Sequence, residues 1–405
     1  MQTGQWCAYA ATVSFATLAI LMADTPSGDS DLAAQLNSRA SVYSAEAKYA
    51  AAEEDYRRAL EIWQQKPGNE ASAALALSNL GAVLKREGRY PEAEKVYLRA
   101  LKTFEELLGA EHEKTAAVLT NLGELYGMQG RFAEAEASLQ RGLALLEKSN
   151  GARDTDLALA LSALADVFRK QGKNEAAQYL IERALGIIEK AQGPMSARAG
   201  PILNNLAAVS EQQGKYKDAE RWVQRAITIL ERTAGPNHPD LAAAYINLAA
   251  IDLERHKYKE AMELDRRALT INESALGPVH PSIATTLNNL AVASFHLHHY
   301  AEAESLFHQA LSTWQKSIWP DQTLVGDTLR NLGIVYQAEK RDSEALEYYK
   351  RAIDVHEAAL GPNDPRLITD LEAYAGVLRR VNDYADAEKA SVRALGIQVH
   401  NSLHL

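Results

Sequence analysis

The sequence predicts an all-α superhelical solenoid built from stacked antiparallel helix pairs, and three columns of residues predict it. The first is a leucine followed by a small residue: Leu80-Gly81, Leu122-Gly123, Leu164-Ala165, Leu206-Ala207, Leu248-Ala249, Leu290-Ala291, Leu332-Gly333 and, with tyrosine for leucine, Tyr374-Ala375. Each copy lies 42 residues from the last, so that eight copies follow in register without an insertion. The second column, 13 residues further on, is alanine throughout: Ala93, Ala135, Ala177, Ala219, Ala261, Ala303, Ala345 and Ala387. The third is small as well: Ala100, Gly142, Ala184, Ala226, Ala268, Ala310, Ala352 and Ala394. A ninth, divergent unit precedes them, because Tyr49, Tyr56, Ala59 and Leu60 match Tyr90, Tyr97, Ala100 and Leu101 at a spacing of 41. A fixed period of this length is the mark of units that cannot bury their apolar faces alone and do so by stacking.

Each unit reads as two helices. In the sixth, Leu241, Ala244, Tyr245, Leu248 and Ala249 recur at helical spacing between Leu241 and Arg255. His256-Lys257-Tyr258 forms the turn, and Lys259 to Leu276 carries a second apolar stripe through Ala261, Leu264, Ala268, Leu269 and Ile271. Gly277-Pro278 ends it, since glycine accepts the left-handed backbone after a helix and proline cannot continue one. Gly88, Gly130 and Gly214 hold the same place in other helix-to-helix turns, where φ > 0 is expected. Ala261 and Ala268 lie on one helical face, so the two alanine columns mark where paired helices cross. The aromatic column Tyr90, Phe132, Tyr216, Tyr258, Tyr300 and Tyr384 is expected to plug the seam between neighbouring units.

These columns resemble the tetratricopeptide repeat. The 42-residue period and the linkers Gly235-Pro236-Asn237-His238-Pro239, Gly277-Pro278-Val279-His280-Pro281 and Gly361-Pro362-Asn363-Asp364-Pro365 resemble its kinesin light chain type. The resemblance implies a right-handed superhelix of about nine helix pairs over residues 32–398, with a tail at 399–405. No coiled-coil heptads accompany it, so a motor role is not implied.

Residues 1–31 are expected to form a signal or anchor segment and a linker. Ala8 to Ala23 is uncharged and apolar or small, and the polar run from Asp24 to Asp31 follows. The first basic residue is Arg39 and the site before Asp24 reads Leu21-Met22-Ala23, both atypical of an export signal; the alternatives are a cap on the first repeat and a cytoplasmic protein. Elsewhere no stretch approaches the roughly 18 apolar residues that span a bilayer.

Hydrophobic residues make up 47% and charged residues 24%, which excludes a disordered chain. Cys7 is the one cysteine, which excludes a disulfide framework and cysteine-based zinc clusters. A formal charge of −10 disfavours nucleic acid as a partner. No glycine-rich phosphate loop, Gly-x-Ser-x-Gly elbow or His-Glu-x-x-His helix occurs, and the repeats leave no room for a catalytic domain, so neither an enzyme nor a cofactor is expected. Of the histidines, His256, His296, His298, His299 and His308 gather near turns, where an exposed residue tolerant of left-handed backbone suits the slot better than a metal does; His238 and His280 belong to the linkers.

Function is expected in the groove that the first helices line. Directly before the Leu-Gly/Ala column runs a row of asparagines, Asn79, Asn121, Asn205, Asn247, Asn289 and Asn331, broken by Ala163 and Ala373. Propensity does not explain asparagine in mid-helix. Its amide offers a donor and an acceptor, which suits either the backbone of an extended peptide or a neighbouring helix; the resemblance implies peptide contact. Partner choice is expected from the preceding position (Ser78, Thr120, Ser162, Asn204, Ile246, Asn288, Arg330, Glu372) and from the basic pairs Lys85-Arg86, Arg169-Lys170 and Arg379-Arg380. The lysine–asparagine clamp for a peptide carboxylate is not evident, because Ala117 stands four residues before Asn121. A non-catalytic scaffold for a protein or peptide partner follows. The alternatives are a peptide-sensing regulatory module and a self-assembling architectural protein.

The crossing itself is testable. Ala261→Leu should overpack the pair and destabilise the protein by about 1–3 kcal/mol in chemical denaturation; an unchanged midpoint would move the crossing elsewhere.

Overall fold

The computed structural model describes residues 29–65, 67–149, 154–317 and 321–403. Among these the chain forms eighteen helices and no strand, arranged as nine consecutive antiparallel pairs. Repeat 1 is α1 (Asp29–Ala45) and α2 (Tyr49–Gln64), and repeat 2 is α3 (Glu70–Arg86) and α4 (Tyr90–Leu108). Repeat 3 is α5 (Glu113–Met128) and α6 (Phe132–Lys148), and repeat 4 is α7 (Asp154–Lys170) and α8 (Asn174–Gln192). Repeat 5 is α9 (Ala199–Gln212) and α10 (Tyr216–Thr233), and repeat 6 is α11 (Pro239–Glu254) and α12 (Tyr258–Leu276). Repeat 7 is α13 (Pro281–His296) and α14 (Tyr300–Lys316), and repeat 8 is α15 (Gln322–Ala338) and α16 (Asp342–Leu360). Repeat 9 is α17 (Arg366–Arg380) and α18 (Tyr384–Leu403). Each helix packs on its partner and on the next repeat. Consecutive first helices also pack closely on one another, whereas consecutive second helices stand further apart and meet through long side chains such as Glu147 and Arg183, which puts the first helices on the inner, concave side.

Asp29 and Asp31 sit in the first turn of α1, where the helix dipole favours anions, and α18 runs on to Leu403. The apolar stretch Ala8–Ala23 lies outside the described residues. Among those described, no helix is long and apolar enough to cross a membrane.

The crossing is set by size. A Cβ built on Gly81 would lie 2.6 Å from the Tyr97 ring, one on Gly123 2.4 Å from Leu139 and one on Gly333 2.8 Å from Tyr349. In each case the opposing residue is 16 positions later, so the small member of the first column lets the second helix press its bulk against bare backbone. The alanine columns close the other side of the contact: a Cβ on Gly142 would be 3.2 Å from the Ala116 carbonyl, and the alanines that hold its place elsewhere are buried. Turns obey the expected backbone. Gly88, Gly130 and Gly214 have φ of 75°, 73° and 72°. The same slot is filled by His256 (φ 60°) and His298 (φ 63°), whose Nδ1 atoms bond the hydroxyls of Tyr258 at 2.8 Å and Tyr300 at 2.9 Å. The aromatic column does reach the next repeat: Tyr258 stacks on His296 with ring centroids 4.6 Å apart, and Tyr216 donates to Glu254 at 3.3 Å. Linker histidines cap helices, His238 and His280 accepting the backbone N–H of Asp240 and Ser282, both at 3.1 Å.

Repeat 6 breaks the pattern. Where other repeats press Tyr97, Leu139, Ile181, Val223, Phe307 or Tyr349 into the crossing, it places Asp265, fully buried with no hydrogen bond to either carboxylate oxygen. Burial raises the Asp265 pKa well above the usual carboxylate range, against a smaller opposing pull from the Asn289 amide. The folded state therefore holds this proton more tightly than the unfolded chain. Its stabilising contribution is complete below the unfolded value of about 4 and is lost as pH rises through the raised folded value. Asp265→Leu should stabilise the protein at neutral pH by about 1–3 kcal/mol. The gain over wild type should shrink on acidification toward pH 4, read as urea midpoints across pH. A variant that melts lower at pH 7 would show the carboxylate to be a structural asset.

Candidate functional site: the concave groove

The inner face of the first helices carries the asparagine row, every member half-buried. The structure shows what three of these amides do. Asn121 Nδ2 donates to Ser78 Oγ at 3.5 Å, Asn205 Nδ2 to Ser162 Oγ at 3.1 Å, and Asn247 Nδ2 to Asn204 Oδ1 at 3.0 Å. Each bond reaches back 43 residues, to the position just before the previous repeat's row member. At Ser78, Ser162 and Asn204 the preceding position, expected to vary with the partner, is thus the acceptor of an inter-repeat brace, and Thr120, which precedes Asn121, instead donates to the Ala116 carbonyl at 3.0 Å; all four are buried. Asn288 accepts from Thr328 at 3.2 Å. Arg330 pairs with Asp327 at 2.8 Å and with the buried Asp370 at 3.3 Å. Asn79, Asn289 and Asn331 complete the half-buried row.

The basic pairs are likewise engaged within the chain. Lys85, expected at the groove surface, is buried and ion-paired with Glu124. Arg169 and Lys170 share Asp166 at 2.7 and 3.1 Å, and Lys170 also donates to the Gly127 carbonyl at 3.2 Å. Burial works to raise the Asp166 pKa, but these two cations outweigh it and hold the group at about 2.

Arg86 does something the sequence did not announce. Its Nη1 donates to Asp240 Oδ1 at 2.9 Å, across 154 residues. Beside it, a Cβ on Gly88 would sit 3.4 Å from Pro281 and 3.8 Å from the His280 ring. His280 is pushed down to about 4 by burial, with the Arg86 charge adding to the effect. The turn of repeat 2 therefore rests on the helix starts of repeats 6 and 7, and the superhelix closes a full turn on itself.

Four residues before the asparagine row runs a second inward column: Leu75, Ala117, Leu159, Pro201, Ala243, Thr285, Asp327 and Thr369, all at least partly exposed. It is apolar through repeat 6 and polar thereafter. Three residues after the row, Ala208 and Ala250 put only a methyl group on this face in repeats 5 and 6, and both are partly exposed. The exact period makes both columns visible in the sequence, but not which stripe of the helix faces inward. Among the described residues no group of three or more His, Cys, Asp or Glu side chains could hold a metal ion.

Matches to the tetratricopeptide repeat model run over residues 37–104, 72–148, 160–195, 198–274, 257–316, 282–358 and 324–398. The chain belongs to the tetratricopeptide repeat family, whose members are generally non-catalytic scaffolds. Among solved structures it is similar to a Rap protein complexed with Competence and Sporulation Factor, at 15% identity and TM-score 0.56, over 82% of this chain and 100% of that one. It is similar to a signal transduction ATPase with numerous domains that carries a tetratricopeptide repeat sensor, from Pyrococcus horikoshii, at 15% identity and TM-score 0.56, over 87% of this chain and 54% of that one. A putative kinesin light chain of nearly identical repeats from Podosopora anserina matches at 21% identity and TM-score 0.41, over 49% of this chain and 94% of that one. At these identities the likeness shows the fold. No curated protein matches the chain significantly.

The closure contact predicts its own signature. Asp240→Asn should raise the radius of gyration in small-angle scattering while shifting stability by less than about 1 kcal/mol, as expected for a pair that is half open to solvent. A scattering profile identical to wild type would mean that the Arg86 pair does not hold the turn.

Proposed function

We propose that the protein is a non-catalytic scaffold whose concave groove holds an extended segment of a protein partner. The observation that carries this reading is the asparagine row beside a column on the inner face that is apolar from Leu75 to Ala243. An amide that gives one N–H to its neighbouring repeat still offers a carbonyl oxygen and a second N–H, enough to bond a peptide backbone whatever its side chains. The column from Leu75 to Ala243 supplies apolar contact along one part of the groove, and Thr285, Asp327 and Thr369 supply polar contact along the rest. The preferred segment therefore has an apolar stretch followed or preceded by a polar one. The closure between repeats 2 and 6 favours a second reading, a peptide sensor whose curvature responds to occupancy. Likeness in fold to a Rap protein complexed with a factor, and to a tetratricopeptide repeat sensor, is compatible with it.

The test must not disturb the braces, so it fills the groove instead of removing asparagines. Wild type and the double variant Ala208→Arg, Ala250→Arg would be compared in capture from host lysate, with circular dichroism melting as the folding control. A partner retained by wild type and reduced at least tenfold by the variant supports groove binding. Equal capture by both proteins would place binding off the concave face.

A further inference from the structure

We propose that α18 is the interface of a homodimer, in which two copies of this chain pair their last helices antiparallel about a two-fold axis near Leu395. The starting observation is a stripe of exposed apolar side chains: Val392 (61% exposed), Leu395 (59%) and Val399 (49%), with Gly396 between them. Their spacing of three, four and seven places them on one face of the helix, the arrangement by which helices pack. Gly396 has nothing within 4 Å of a Cβ built on it, so a second backbone can come close there.

The stripe is specific to this repeat. The Leu395 position is always apolar (Leu101, Leu143, Leu185, Ile227, Leu269, Leu311, Ile353) and is covered to varying degrees in the earlier repeats. Here it is open, so the stripe continues an established packing surface. The flanking positions have changed character. Val392 stands where six of the seven preceding repeats carry Gln140, Glu182, Gln224, Arg266, His308 and Lys350. Val399 stands where all seven carry Glu or Gln. A helix face left in contact with water is expected to carry polar side chains, as these positions do in the earlier repeats.

The same substitution argues for a second copy over a further repeat. In the body of the solenoid, the residue at the Val399 position grips the next repeat's arginine: Glu105 with Arg141 at 2.7 Å, Glu147 with Arg183 at 2.8 Å, Glu189 with Arg225 at 2.5 Å and Glu357 with Arg393 at 2.7 Å. Valine cannot serve in that ladder. A two-fold helix pair needs no such acceptor, because the stripe is its own complement. Among nearby charges, Lys389 is paired with Asp386 at 2.6 Å and Arg393 with Glu357 at 2.7 Å, while Arg379, which donates to Ser391, and Glu388 border Val392 and Leu395. An apolar helix face that is its own complement, with charges of both signs at its edge, fits an isologous partner.

Sedimentation equilibrium of the full chain over a concentration series, in about 0.15 M salt to screen the repulsion of two chains beyond about 8 Å, reads the outcome. Wild type should approach twice 44.4 kDa. Val392→Glu with Val399→Glu should weaken dimerisation more than tenfold and leave the far-ultraviolet circular dichroism spectrum unchanged, because both residues are exposed in the single chain. Gly396→Cys in a Cys7→Ser background should form a disulfide-linked dimer on mild oxidation, an independent readout that does not rely on the charged variant. A wild-type mass of 44.4 kDa at every concentration would overturn the proposal. So would a double-glutamate variant that dimerises as well as wild type, or a Gly396→Cys protein that yields no cross-link.

Discussion

Everything in this solenoid depends on how closely two helices of one repeat can approach. At the first column the approach is so tight that Gly81, Gly123 and Gly333 have no room for a methyl group. The cause is the residue 16 positions later, Tyr97, Leu139 or Tyr349, lying flat against the partner's backbone. Fixing that distance fixes the tilt of each pair, and the tilt repeated nine times sets the superhelix. The cost of misplacing a methyl here is overpacking, about 1–3 kcal/mol per site, and a change of tilt would propagate to every repeat beyond it.

A second layer of interactions transmits the tilt between repeats. On the concave side the asparagine row braces one first helix to the last. On the outer side arginines of one second helix reach glutamates of the previous one, as Arg183 does to Glu147 at 2.8 Å. At the turns Arg89, Arg131 and Arg341 do the same toward Glu53, Glu94 and Glu304. Each exposed pair contributes little by itself, on the order of 0–1 kcal/mol. Their regular recurrence sets register more than stability. The closure of Arg86 on Asp240 is the point where accumulated curvature becomes a contact, because only a superhelix of this pitch brings repeat 2 beneath repeat 6.

The sequence disclosed the parts of this design that repeat. Nine pairs, the crossing columns, the left-handed turn glycines and the helix-capping linkers all follow from residues at a fixed period, since periodicity survives projection onto one dimension. What was not legible depends on relations between columns. The serines at 78 and 162 look like variable surface positions until the neighbouring repeat is set beside them, when they become acceptors for Asn121 and Asn205. Lys85-Arg86 looks like an open basic pair, yet the two side chains point to different repeats, one to Glu124 and one to Asp240. A contact across 154 residues depends on the superhelical pitch, and pitch is an accumulated angle that no local motif encodes. Asp29-Ser30-Asp31 reads as part of a linker, but acidic residues also favour a first helical turn, and in the structure these three belong to α1.

If the groove holds a partner segment as proposed, the asparagine row ties binding to shape. Asn205 and Asn247 hold neighbouring first helices together with the same amide groups that face the groove. A backbone carbonyl arriving in the groove competes with Ser162 or Asn204 for those N–H donors, whereas a backbone N–H meets the amide oxygen without competition. The two modes have opposite consequences. The first loosens an inter-repeat brace and relaxes curvature; the second leaves the brace intact and adds a bond on the inside of the curve. Linkage then requires that a segment bound in the first mode hold more tightly when the Arg86–Asp240 closure is broken, and one bound in the second mode more tightly when it is made. Under the proposed groove binding, the geometry of one side-chain amide therefore decides whether a bound segment opens or closes the solenoid.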